Sequence, residues 1–148
     1  MTCRLQVLAA GMLTTVQDLG RSGHEHMGVP PSGAMDPGAM RIANALVGNT
    51  SNLATLEFTV QGGRIQLLDK PSTIAFAGDA PLHVSMDDGK RSETLAAWQS
   101  HKLPAGATLS IGLLTRGMRG YLAISGGIAV PPVLGSASTL TRAGLGGW

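Results

Sequence analysis

Between positions 14 and 36 the chain gathers Gln17, Asp18, Arg21, His24, His26, Ser32 and Asp36 into one stretch framed by glycines and prolines. Those framing residues favour fixed bends, so the stretch reads as a loop rather than a strand or helix, and its density of polar side chains points to a site. The planar fork of Arg21 suits a carboxylate or phosphate, while Gln17 can donate to and accept from an amide at once. A small planar substrate bearing an amide would suit both. Arg21 can equally pair with Asp18, three positions earlier, and brace the loop.

The run Ser32, Gly33, Ala34, Met35, Asp36 stands directly before a helix. Its backbone N–H groups can face an anion or a polarised carbonyl with the helix dipole behind them, and Ser32 adds a hydroxyl. The plainer reading, and the commoner use of these residue types, is that Asp36 caps the helix and Ser32 closes a turn. His24 and His26 offer two metal ligands without a third, so a surface loop is the expectation there. His83 and His101 read as half-exposed packing residues. No phosphate-binding Gly-x-x-x-x-Gly-Lys-Ser/Thr loop and no Gly-x-Ser-x-Gly nucleophile elbow occurs, and the glycines at 126–127 and 144–147 read as turns and close strand packing.

The elements that must position these residues are mostly strands. Residues 55–60 alternate, with Leu56, Phe58 and Val60 on one side and Thr55, Glu57 and Thr59 on the other, which predicts a half-buried strand. Residues 64–67, 73–76 and 82–86 repeat the period, and 109–113 and 120–125 read as further strands, giving an antiparallel meander. Asp88-Gly89 predicts a two-residue hairpin after 82–86. The one good helix is 37–47: Asp36 is its N-cap, Pro37 fits the first turn, Gly48 suits the left-handed position beyond its end, and Ala39, Ala43, Leu46 and Val47 face the core.

Length and composition fit a single folded domain, since 43% of the 148 residues are apolar and only 14% charged. A net charge of +2, no Lys/Arg run and only five aromatic rings (two Trp, one Tyr, two Phe) argue against nucleic-acid binding. Cys3 is the single cysteine, which excludes an internal disulfide and a cysteine-built zinc site and predicts a reducing compartment. No segment reaches the ~18 consecutive apolar residues of a membrane span, so a soluble, cytoplasmic protein without a membrane partner is expected.

The longer strings are more specific. TTVQDLGRSGHEHMGVPPSGAMD, ANALVGN at 43–49, ATLEFT at 54–59 and GYLAISGGIAVPPVLGSASTLTRAGLGG at 120–147, in this order, closely resemble the biotin-dependent carboxyltransferase family. That family includes the C-type component of bacterial ATP-dependent 5-oxoprolinase, the proteins called allophanate hydrolase subunit 2, the antagonist of the sporulation kinase inhibitor, and the carboxyltransferase A/B region of urea carboxylase. The resemblance implies a mainly β fold, a cyclophilin-like β-barrel with one short amphipathic helix. Residues 1–148 would form the amino-terminal part of a carboxyltransferase A/B domain whose second subdomain is incomplete.

It further implies an enzyme subunit active only with partners: a B-subunit-like protein carrying the C/D subdomains, and an A-type partner. The expected reaction is ATP-dependent opening of 5-oxoproline to glutamate, with ATP reaching the reaction through the complex. On that reading the catalytic set is Gln17, Arg21, Ser32 and Asp36: Arg21 holds the substrate carboxylate and Gln17 and Ser32 engage the lactam. Gly33, Ala34 and Met35 bind substrate, the helix start stabilising charge on the carbonyl oxygen; no metal is expected. Two alternatives stay open. One is carboxyl transfer from carboxybiotin to urea or a related amide, and the other a regulatory binding subunit without catalysis.

Overall fold

The computed structural model describes residues 3–147. Ten strands and one α-helix are found among them: β1 Leu5–Ala9, β2 Leu13–Gln17, α1 Pro37–Leu46, β3 Thr55–Thr59, β4 Arg64–Leu67, β5 Ser72–Asp79, β6 Leu82–Met86, β7 Arg91–Leu95, β8 Ser100–Leu103, β9 Thr108–Ile111 and β10 Arg116–Ile124. They form two five-stranded antiparallel sheets, ordered β1-β4-β9-β6-β7 and β2-β3-β10-β5-β8. The fold is mainly β with one helix, as the sequence implies, built as two sheets over a shared core rather than one closed cylinder. No described helix is long and apolar enough to cross a membrane.

The expected meander is corrected. Only β2–β3 and β6–β7 are neighbours both in sequence and in space; after every other strand the chain crosses to the opposite sheet. Two walls around one core explain this, because alternate crossing lets Ile65, Leu67, Leu82, Val84, Leu109 and Ile111 of one sheet meet Leu56, Phe58, Ile74, Phe76, Leu122 and Ile124 of the other. The hairpin after β6 is also longer than expected. Met86 pairs with Arg91, leaving four residues in the turn, and Asp87, Asp88 and Gly89 all take positive φ.

The central strands of the second sheet, β3, β10 and β5, are largely buried on both faces, which overturns the half-buried expectation for β3. Leu56 and Phe58 point into the core while Thr55 and Glu57, on the reverse face, are also buried. The cover is α1. Its Met40 and Ala43 lie on Ala75 and Ala77 of β5 and Tyr121 and Ala123 of β10, and alanines on the sheet let the helix approach closely. The helix has the ends expected of it: Asp36 Oδ1 accepts from the Ala39 N–H at 3.0 Å, and Gly48 sits at φ +76. Met40 and Asn44 join the buried face that the sequence assigned to Ala39, Ala43, Leu46 and Val47, of which Leu46 is only partly buried. Asn44 is tolerated there because its Nδ2 donates to the Leu53 carbonyl at 2.8 Å.

Candidate functional site

The supposed loop begins as a strand. Residues 14–17 belong to β2, which pairs with β3 from Leu13↔Thr59 to Gln17↔Thr55. On the other side of β2, the segment after β10 returns and the Thr139 N–H donates to the Val16 carbonyl at 2.9 Å. This return brings two distant strings together. Asp18, just past the strand, is buried and accepts from the Ser136 and Ser138 hydroxyls at 2.6 Å each, from the Gly20 N–H at 2.7 Å and from the Ala137 N–H at 2.8 Å. Burial works to raise its pKa, but the hydrogen bonds from Ser136, Ser138, Gly20 and Ala137 outweigh it and hold the carboxyl below its ordinary value.

Arg21 is 1% exposed, and does not ion-pair with Asp18. Its Nε donates to the Val133 carbonyl at 3.2 Å and its Nη2 to the Ser138 carbonyl, while Nη1 is buried without a partner. Gly146 stands against the same group. A Cβ there would collide with the Ser138 carbonyl oxygen and come within 3.2 Å of Arg21 Nη2, so the glycine-rich end serves close backbone approach. Gln17 Nε2 donates to Thr15 Oγ1 at 3.0 Å and to the Thr139 carbonyl at 3.2 Å; its Oε1 is buried and unpartnered. Ser32, at φ +59, donates its hydroxyl to that same Thr139 carbonyl at 2.6 Å. Three of the four expected catalytic side chains, Gln17, Arg21 and Ser32, thus converge on residues 133–139.

The fourth, Asp36, lies elsewhere, at the head of α1. The amides ahead of the helix are engaged within the protein: Ala34 N–H donates to the Asp18 carbonyl at 2.9 Å, Met35 N–H to Glu57 Oε2 at 2.8 Å and Asp36 N–H to the Tyr121 hydroxyl at 2.7 Å. Tyr121 in turn donates to Glu57 Oε2 at 2.7 Å. Burial first, and then that bond to Glu57, push the phenol pKa far above its usual value, so Tyr121 acts as a neutral donor. Glu57 Oε1 faces Arg119 Nε at 3.6 Å.

Beside this network opens a cavity of about 270 Å³ whose polar and aromatic lining is Asp36, Asp79, Trp98, Arg116 and Arg119. Trp98 Nε1 donates to Asp79 Oδ1 at 3.0 Å. Reading by motif missed Glu57, Tyr121, Arg116, Arg119 and Trp98. The signal available was an acid and a tyrosine on the reverse faces of otherwise apolar strands. A larger cavity, about 460 Å³, is lined by Cys3, Leu5, Val7, Leu56 and Ile128, and its one charged lining residue, Arg4, is paired with Asp69 at 3.0 Å. It lacks the converging polar groups that fix a substrate.

The histidines play no part in either place. His24 and His26 flank and enter an exposed 3-10 turn, Glu25–Met27, and no group of three or more metal-ligating side chains occurs among the described residues.

Residues 27–148 match the carboxyltransferase domain, subdomain A and B. The chain belongs to this carboxyltransferase family. Over 145 residues it is 42% identical to the C-type component of 5-oxoprolinase from Escherichia coli, covering 97% of this chain and 44% of that relative. Over 147 residues it is 42% identical to the urea amidolyase of Lachancea kluyveri, covering 99% of this chain and 8% of the relative. The solved urea carboxylase of Kluyveromyces lactis superposes with a TM-score of 0.87 at 40% identity, over 97% of this carboxyltransferase chain and 12% of that one. The chain therefore spans less than half the length of the curated relatives it matches here, one of them a subunit and the other a much longer protein.

Proposed function

We infer that this carboxyltransferase chain is part of a C-type component of an ATP-dependent 5-oxoprolinase complex, opening the lactam of 5-oxoproline to glutamate together with B- and A-type partners in the cytoplasm. The observation that carries the reading is the 42% identity to the C-type component of the Escherichia coli 5-oxoprolinase along 97% of the chain. The geometry supports distinct roles for the candidate residues. Asp36 caps α1 through Oδ1 and leaves Oδ2 as an acceptor for a substrate N–H. Ser32, whose proton is directed at Thr139, presents its oxygen in the same sense. Gly33, Ala34 and Met35 form the backbone wall between them, and Gln17 and Arg21 act as positioning residues that fix 133–139 behind Ser32.

The cavity beside Asp36 does not fit ATP. At about 270 Å³ it falls below the ~300–1,000 Å³ usual for larger ligands, and its two arginines are matched by two aspartates, a poor host for a triphosphate. On this reading we assign nucleotide chemistry to a partner subunit. A protein neighbour has a surface to meet: exposed Met12, Leu13, Leu113 and Met118 all adjoin the end of β3, through Gln61, Thr59, Gln61 and Val60 respectively.

The equal identity to a urea amidolyase supports a second reading, carboxyl transfer onto urea from carboxybiotin brought by a partner. One assay separates them. The assembled complex should convert 5-oxoproline to glutamate only with ATP present and in the absence of biotin. Biotin-dependent carboxylation of urea with no 5-oxoproline turnover would replace the first reading by the second, and neither reaction, with partner binding retained, would leave the regulatory role.

A further inference from the structure

β10 carries a wide irregularity. Arg116 pairs with Asp79 and Tyr121 with Ala77, so four residues of β10 stand opposite the single Gly78 of β5. Such bulges bend a strand and re-aim its side chains. Here Gly117 takes φ +69, and both Arg116, just before the bulged stretch, and Arg119, within it, line the cavity at the head of α1. Across it Trp98 is held at φ +62, in the region that side-chain-bearing residues seldom adopt, with its indole N–H tied to Asp79.

The charges are unevenly engaged. Asp36 Oδ1 and Asp79 Oδ1 each accept one internal hydrogen bond, from Ala39 N–H and Trp98 Nε1. Arg119 is held loosely, its Nε 3.6 Å from Glu57 Oε1 and hydrogen-bonded to nothing, its Nη1 reaching only the Met118 carbonyl at 3.4 Å. The Arg116 side chain has no hydrogen-bond or ion-pair partner among the described residues, and is exposed. The cavity is therefore lined by two guanidinium groups and two carboxylates beside an indole, in a volume suited to a small ligand.

We propose that Arg116 and Arg119, with Asp36 and Asp79 in the same cavity lining, form the subsite that selects a small molecule carrying both a carboxylate and an amide N–H, the arginines taking the carboxylate and an aspartate the N–H. This rests on the 5-oxoprolinase reading for the identity of the ligand, and it supplies what that reading lacks, a solvent-reachable cation for the substrate carboxylate. Urea has no carboxylate and could use only half of the site, so the same pair sets specificity.

The test titrates the full-length protein calorimetrically with 5-oxoproline, with 2-pyrrolidinone, which lacks the carboxylate, and with urea, and runs the assembled complex beside it. Arg116→Ala is the informative variant because this side chain supports nothing else. It should weaken 5-oxoproline binding about tenfold or more and leave pyrrolidinone binding unmoved, with Arg116→Lys recovering part of the loss. In the complex it should raise KM with kcat retained. Turnover by the wild type with binding and KM indifferent to Arg116→Ala overturns the subsite while the activity stands. Arg116-dependent binding without turnover supports the subsite and removes the activity. Absence of 5-oxoproline binding to the wild type overturns the subsite outright.

Discussion

Two places in this molecule use arginines in contrasting ways. Around Asp18 the chain is sealed: Arg21 is 1% exposed and holds the main-chain carbonyls of Val133 and Ser138, joining the end of β2 to a segment more than a hundred residues later. At the head of α1 the chain is more open: Arg116 lines a cavity with no side-chain partner among the described residues, and Arg119 beside it faces Glu57 at 3.6 Å. The contrast teaches that a polar cluster in sequence marks either a joint or a site. What separates them is where the hydrogen-bond donors go: into backbone around Asp18, and, for the exposed Arg116, toward solvent.

The largest effect is expected at the joint. Asp18→Ala leaves two hydroxyls and two backbone N–H groups in a buried position without their acceptor and should cost about 3–5 kcal/mol in equilibrium unfolding by denaturant. Because the folded-state pKa of Asp18 lies below its ordinary value, the ionised carboxylate stabilises the fold above about pH 4, and that contribution is lost as pH falls through the folded pKa. Asp18→Asn should therefore flatten the acid limb of the stability–pH curve. An unchanged acid limb would break the comparison, since the joint would then not depend on that charge.

A smaller effect is expected where the two places meet. Tyr121→Phe removes the hydroxyl that donates to Glu57 and accepts from Asp36 N–H, and should destabilise by about 1–3 kcal/mol without disturbing the apolar contacts of its ring with α1. Amide hydrogen exchange sharpens the point. Protection should fall at Met35 and Asp36 and stay unchanged at Ala34, whose N–H bonds to Asp18.

The helix was readable because its signals are local: Asp36, Pro37 and Gly48 act within a few residues of where they stand. The family was readable too, in strings that run through both halves of the joint. Strand β2 was hidden by its neighbours, because Thr14, Thr15 and Val16 favour a strand but lead straight into a Gly/Pro-rich bend. Glu57 shows a deeper limit. Alternation tells which face a residue takes, not what lies against that face, and its burial depends on α1 and Tyr121 arriving from elsewhere in the chain. The cavity was least readable of all. Arg116 and Arg119 are three apart in an exposed-looking Arg-Gly-Met-Arg run, and only the bulge against Gly78 turns both toward Asp36 and Trp98.

The smallest effect on stability should come from the open place, and it is the sharpest test of the contrast. Arg116 is exposed and unpaired among the described residues, so Arg116→Ala should leave the unfolding free energy within about 0.5 kcal/mol of the wild type. Arg21→Ala, by contrast, strips the Val133 and Ser138 carbonyls of their donor and opens a void in the joint, placing it with the destabilising class. If guanidinium groups at the two places were interchangeable, the two substitutions would move stability alike. A thermal melt of each measures this directly, and a large loss in Arg116→Ala would mean that the cavity, too, is a joint whose cations hold the bulge of β10 in place rather than wait for a ligand.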